Sequence, residues 1–175
     1  MRIARAAVCL VVFMLPAAAA QAASVQIVAL GASNTYGHGR GRTNGGVEPS
    51  QAYPAQLETM LRARGVDAHV TNAGVPGDTT GGMLARLGSA VPDGTRIVIL
   101  QPGGNDARRG EGGSRAANIA AIQQQLAARH IKVIMTGMAA PASTRDPDGQ
   151  HFNAQGHAAV AAALVPRVLA AMPGK

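Results

Sequence analysis

From Val25 to Leu30 the chain reads Val-Gln-Ile-Val-Ala-Leu, and it then turns on Gly31-Ala32-Ser33-Asn34. A run of β-branched and aliphatic residues ending in Gly-x-Ser predicts a buried parallel strand. The C-terminal end of such a strand releases its hydroxyl into the crevice above the sheet, where open α/β sheets place their ligands. Gly-x-Ser is also ordinary turn chemistry, so Ser33 gains meaning only from what the rest of the chain brings to the same edge.

Three further strands are predicted, at His69–Ala73, Arg96–Leu100 and Ile131–Met138. Helical segments alternate with them. Tyr53, Leu57, Met60, Leu61 and Arg64 share one face, with Pro54 near the start and Gly65 just past the end, the punctuation of an amphipathic helix. Met83, Leu84 and Leu87 suggest one or two helical turns, and Ile119, Ile122 and Leu126 form an apolar face behind a capping Ser114. Val160, Leu164, Val168 and Met172 mark a last helix over residues 153–172, with a bend at Pro166. Tyr36 to Ser50, rich in Gly and Arg and without periodicity, is expected to be a loop beside the serine. Strands alternating with helices in this way imply an α/β domain, its parallel sheet covered by helices on both faces.

The first 22 residues stand apart. Arg2 and Arg5 precede an apolar stretch from Ala6 to Leu15 that is too short to span a bilayer, and Ala20-Gln21-Ala22 is a small-x-small cleavage site. This is the pattern of a secretory signal peptide. It implies a periplasmic or secreted protein with no stable membrane insertion after cleavage; an uncleaved anchor is the alternative. Residues 23–175 then make a single domain, large enough for a real core. Cys9, the only cysteine, leaves with the signal, which excludes disulfides, thiolate-bound metal and a cysteine nucleophile from the mature chain. The formal charge of +7 falls to +5 without Arg2 and Arg5. The remaining basic residues form no stripe that would follow a nucleic-acid backbone, and Tyr36, Tyr53 and Phe152 are too few for a stacking platform. The glycines between Gly37 and Gly46 lack phosphate-loop spacing. His38, His69 and His130 are too scattered to suggest a metal, so neither metal nor other cofactor is expected.

Each predicted strand is followed by polar or glycine residues suited to one site: Ser33 after the first, Gly77-Asp78-Thr79 after the second, Gly104-Asn105-Asp106 after the third, and Asp148-Gly149-Gln150-His151 before the last helix. In a parallel sheet these loops emerge on one edge. Acyl transfer needs a nucleophile, a base, a group that orients the base, and donors for the oxyanion. Ser33 is a poor nucleophile at neutral pH unless a neutral imidazole, here His151, takes its proton. Asp148, three residues earlier, can accept from the other ring nitrogen and fix the tautomer. The backbone N–H groups of Ser33 and Gly77 and the Asn105 side chain can supply the oxyanion donors.

Gly31-Ala32-Ser33, Asn72-Ala73-Gly74-Val75-Pro76-Gly77-Asp78-Thr79, Gly103-Gly104-Asn105-Asp106 and Asp148-Gly149-Gln150-His151, in that order, resemble the four blocks of the SGNH (GDSL) hydrolases. The resemblance is to small exported bacterial esterases of the thioesterase I/lysophospholipase type and covers nearly all of Val25 to Met172. It implies a flavodoxin-like, three-layer α/β/α fold and a serine esterase or thioesterase acting on small or single-chain acyl esters, without metal or nucleotide. Its implied roles are Ser33 as nucleophile, Asp148 and His151 as acid and base, and Ser33, Gly77 and Asn105 as oxyanion donors.

The departures from the family pattern carry expectations of their own. Ala32 stands where the family usually has Asp, and Phe152 where it has Pro. Only about a dozen residues separate the fourth strand from Asp148, so a sheet of about four strands is expected, without the family's fifth, and the cleft is shallower. Other readings compete residue by residue. Asp148 and His151 can form a loop salt bridge, Asp146 rivals Asp148, and Asn105 can cap a turn. Asp106 is expected to stabilise its loop, and His157 to be a surface or packing residue of the last helix rather than a ligand. Arg108 and Arg109 fit a solvated loop better than an anionic head group. The alternative function is a catalytically inactive periplasmic binding or envelope-interaction protein.

Overall fold

Strand β1 (Val25–Gly31) is flanked by β2 (Ala68–Gly74) and β3 (Ile97–Gln101), and β4 (Lys132–Met135) pairs with β3. All pairings are parallel, in the order β2-β1-β3-β4. This computed structural model describes residues 24–38, 45–137 and 141–172. The predicted signal peptide, Met138 of the predicted fourth strand and residues 39–44 of the predicted loop lie outside the described residues.

The order explains the apolar patterns. β1 and β3 are central and covered on both faces, so their sequences are apolar apart from Gln26 and Gln101. β2 and β4 are edges and mix buried with exposed positions. Side chains alternate across the sheet. Ile27, Ala29, Ile97 and Ile99 face helices α2 (Tyr53–Arg62) and α7 (Ala154–Ala171), and pack there with Leu57, Leu61, Leu164 and Val168. Val28, Leu30, Val98 and Leu100 face the other way, against Met83 of α3 (Thr80–Ala85), Leu87 of α4 (Leu87–Ala90), and Ile122 and Leu126 of α6 (Arg115–Ala128). Two short helices, α1 (Ser33–Tyr36) and α5 (Asn105–Arg108), start just beyond β1 and β3. The result is the expected three-layer α/β/α sheet of four strands.

Local expectations are corrected in two places. Ser114 does occupy the position before α6, but its backbone is already helical after a 3₁₀ turn at Gly112–Ser114, and its side chain makes no capping bond. The working caps are Thr79, which accepts from Gly82 N–H, and Asn153, which accepts from Gly156 N–H. Helix α7 runs unbroken through Pro166. The loop expected from Tyr36 to Ser50 has ordered ends: Tyr36 is the last residue of α1, and Pro49 and Ser50 belong to a 3₁₀ turn, Pro49–Gln51. Phe152, the departure after His151, is fully buried against the α2/α7 face, edge-on to His157.

Candidate active site

The ends of β1, β2 and β3 converge on Ser33. β1 stops at Gly31 and the chain turns into α1 at Ser33, so the Ser33 N–H is one of the donors that a helix start leaves without an intrahelical partner. Ala32 at the turn is buried and offers no side-chain cap. Beyond β2, Asp78 N–H donates to the Val75 carbonyl at 3.0 Å, closing a turn with Pro76 then Gly77 at its centre. Gly77 has φ +79°, the left-handed backbone such a turn asks of its third residue.

His151 comes from the loop between β4 and α7, 118 residues away in sequence, and its Nε2 lies 2.8 Å from Ser33 Oγ. Its Nδ1 lies 2.5 Å from Asp148 Oδ2. A carboxylate only accepts, so Nδ1 carries the proton and Nε2 is left to accept from the Ser33 hydroxyl. Asp148 Oδ1 accepts the backbone N–H groups of Gln150 (2.8 Å) and His151 (3.0 Å). Burial tends to raise the Asp148 pKa. The bonds from the His151 ring and from the two backbone N–H groups, with the charge of His151, outweigh it and hold the carboxyl well below the usual range.

The rival carboxylate is elsewhere. Asp146 accepts from His38 Nδ1 at 3.1 Å. Asp106 is fully buried and accepts from the Thr80 N–H and hydroxyl, the loop-stabilising role expected of it. His157 is also buried, with its Nδ1 accepting from Tyr53 N–H at 3.2 Å.

Asn105 begins α5 and lines, with Ser33 and His151, a cavity of about 190 Å³. Its Nδ2 donates to the Asp78 carbonyl at 2.7 Å, using one of two amide hydrogens, and its Oδ1 accepts from Arg108 Nη2 at 2.7 Å. Gly77 is outside the lining set, and its carbonyl accepts from Arg109 Nη2 at 2.8 Å. Of the three expected donors, two border the cavity and the third stands behind Asn105 on the Asp78 turn.

Several residues went unread in the sequence. Asn34 Oδ1 accepts from Phe152 N–H at 2.8 Å, joining α1 to the histidine loop. Arg86 donates to the carbonyls of Gly31 and Ala73 and to Asp78 Oδ2, tying β1 to β2 at the site. Arg108, expected in a solvated loop, lines the cavity and bridges Asn105 to Gln150 Oε1. His38, expected to be one of several scattered histidines, stacks on His151 with ring centroids 3.7 Å apart and planes at 17°. No local signal marks these residues, because each acts across the fold. His38, Asp148 and His151 bring ligand atoms within 4.8 Å of one another. Imidazole lone pairs lie in the ring plane, so near-parallel rings aim theirs side by side rather than at one point, unlike the convergent donors of a tetrahedral metal site.

Residues 29–166 match the GDSL-like lipase/acylhydrolase family. Esterase TesA of Pseudomonas aeruginosa is 35% identical over 98 residues, which is 55% of this chain and 49% of that protein, so the match spans about half of the curated relative. A solved variant of the esterase AlinE4 is 31% identical, covers 85% of this chain and 74% of its own, and superposes with a TM-score of 0.58. A crystal structure of TesA shares the fold, with TM-score 0.69 at 20% identity over 84% of this chain and 99% of that one. Among the described residues, no helix is long and apolar enough to cross a membrane.

Proposed function

The chain belongs to the GDSL-like lipase/acylhydrolase family, and from that premise we propose that it is a serine esterase or thioesterase acting on small acyl esters through an acyl-serine intermediate. The observation that carries the reading is the continuous hydrogen-bond chain from Ser33 Oγ through His151 to Asp148. As Ser33 Oγ attacks the substrate carbonyl, its proton passes to His151 Nε2. The resulting imidazolium keeps its Nδ1–H on Asp148 and then delivers the Nε2 proton to the departing alcohol or thiol. Water repeats the sequence to free the acid. Such proton transfer contributes about 10²–10⁴-fold in rate.

The oxyanion is assigned to the Ser33 N–H, the second amide hydrogen of Asn105 and the Gly77 N–H, each worth about 3 kcal/mol in the transition state. Gly77 stands on the turn whose Asp78 carbonyl accepts from Asn105, which keeps it beside that donor. The cavity of about 190 Å³ is smaller than the roughly 300–1,000 Å³ of typical ligand pockets, which supports short acyl groups. Residues 1–22 are assigned as an export signal and 23–175 as the mature domain, placing the enzyme in the periplasm or outside the cell.

The test is hydrolysis of p-nitrophenyl acetate and butyrate by the mature protein and by Ser33→Ala. We expect the variant to lose at least about 10³-fold in kcat. Equal rates would refute the serine assignment, and a folded wild type without Ser33-dependent hydrolysis would favour the non-catalytic binding protein.

A further inference from the structure

His38 is built into the site more tightly than a residue of an irregular loop needs to be. Its ring lies nearly parallel to that of His151, 3.7 Å away. Nδ1 donates to Asp146 Oδ2 at 3.1 Å, and Nε2 stands 3.5 Å from Asp148 Oδ2, the oxygen that receives the His151 Nδ1–H. Its side chain is only 12% exposed. Gly45 and Gly46 pack close to it: an added Cβ would come within 2.9 Å of His38 Cε1 and 3.0 Å of His38 Cβ respectively. His38 itself has φ +85°, a left-handed backbone that a residue with a bulky side chain adopts only when its surroundings hold it there.

We propose that His38 is a positioning residue for the base: held by the nearby Gly45-Gly46 backbone and by its bond to Asp146, its ring forms the wall that fixes the plane of His151 against Ser33 and Asp148. This rests on the esterase reading above. His151 sits on a loop, held by hydrogen bonds to Ser33 and Asp148, and imidazole nitrogens direct such bonds in the ring plane. Those bonds define where the two nitrogens point but resist tilting out of the plane only weakly. A second ring stacked on the face supplies that missing restraint, and a misplacement of about 1 Å can cost about 10²-fold in rate. Asp146 holds the stacked ring in turn, which gives the carboxylate excluded from His151 a task of its own.

The experiment compares wild type, His38→Gly, His38→Phe and Ser33→Ala in p-nitrophenyl acetate hydrolysis, with melting curves for each. It also follows the downfield proton NMR resonance of the His151 Nδ1–H. Glycine suits φ +85°, so His38→Gly removes the ring while relieving the backbone. We expect its kcat to fall about 10–100-fold with KM changed less than about threefold, and the Nδ1–H resonance to move upfield or broaden away. His38→Phe restores a ring without nitrogens and should recover kcat to within about fivefold of wild type. A wild-type kcat in His38→Gly, an unshifted resonance, or a His38→Phe enzyme as slow as His38→Gly would overturn the proposal. Rates in Ser33→Ala report separately on the esterase reading. The resonance reads the positioning even where no ester is turned over.

Discussion

Asn34 and Phe152 are 118 residues apart in sequence, and the Phe152 N–H donates to Asn34 Oδ1 at 2.8 Å in the buried interior. Each neighbours a member of the proposed triad, Asn34 following Ser33 and Phe152 following His151. The bond therefore ties together the two segments that carry the proposed nucleophile and base. Replacing Asn34 by Ala leaves the Phe152 N–H buried without that acceptor, at a cost of about 1–3 kcal/mol. We expect Asn34→Ala to be less stable to unfolding by that amount and to lose about 10–100-fold in kcat, with KM little changed. Denaturation and steady-state kinetics measure both.

Asp148 fixes the His151 tautomer by being a pure acceptor. In Asp148→Asn the amide nitrogen can donate to Nδ1, which moves the ring proton to Nε2 and leaves nothing to receive the Ser33 proton. A loss of about 10⁴-fold in kcat is expected. Because the carboxylate is held well below its usual range, it stays ionised on mild acidification, and its stabilising contribution is lost only in strong acid as its folded pKa is passed. The acid limb of the wild-type pH-rate profile should therefore not report Asp148, and a profile taken with the Asp148→Asn residual activity checks this.

Burial is the main influence on His157. With His38 and His151 it outweighs the opposing charge of Asp146 and pushes the imidazole down from 6.5 to about 4. The unfolded chain then binds a proton that the folded chain refuses between those values. Stability from this group is fully present above pH 6.5 and falls as pH drops towards 4, by up to about 3 kcal/mol. Melting temperature against pH should show this decline. A neutral acceptor in His157→Gln should flatten it, though at a lower overall stability because the packing is poorer.

The central strands were legible in the sequence because burial on both faces leaves no polar alternation to confuse them, and β1 and β3 fall where their apolar runs do. β4 was read too long. The strand covers only Lys132–Met135, although the Thr136 N–H still donates to the Leu100 carbonyl of β3 at 2.9 Å. The meeting of Ser33, Asp148 and His151 in one hydrogen-bond chain was readable because their residue types recur in ordered blocks. Asn34, His38, Arg86 and Arg108 were not, since an asparagine or arginine in a loop looks the same whether it faces water or a carbonyl brought in from another strand. The His38–His151 stack depends on backbone at Gly37 and Gly45-Gly46 folding back on itself, which no local periodicity encodes.

Acyl length follows from the space over Ser33. Each methylene adds about 0.8 kcal/mol only while there is pocket left to bury it. With a cavity of about 190 Å³, kcat/KM across p-nitrophenyl esters from acetate to palmitate should peak at or below about six carbons. A maximum at about twelve carbons or beyond would mean that another wall forms around bound substrate.

The most direct test of the central claim is peptide mapping by mass spectrometry after treatment of the folded, mature protein with a fluorophosphonate. Attack by an activated serine expels fluoride and leaves a phosphonyl ester on its oxygen. The account requires a single stoichiometric adduct on the peptide containing Ser33, and its absence from His151→Ala. An unlabelled folded protein, or an adduct on any other residue, would contradict it.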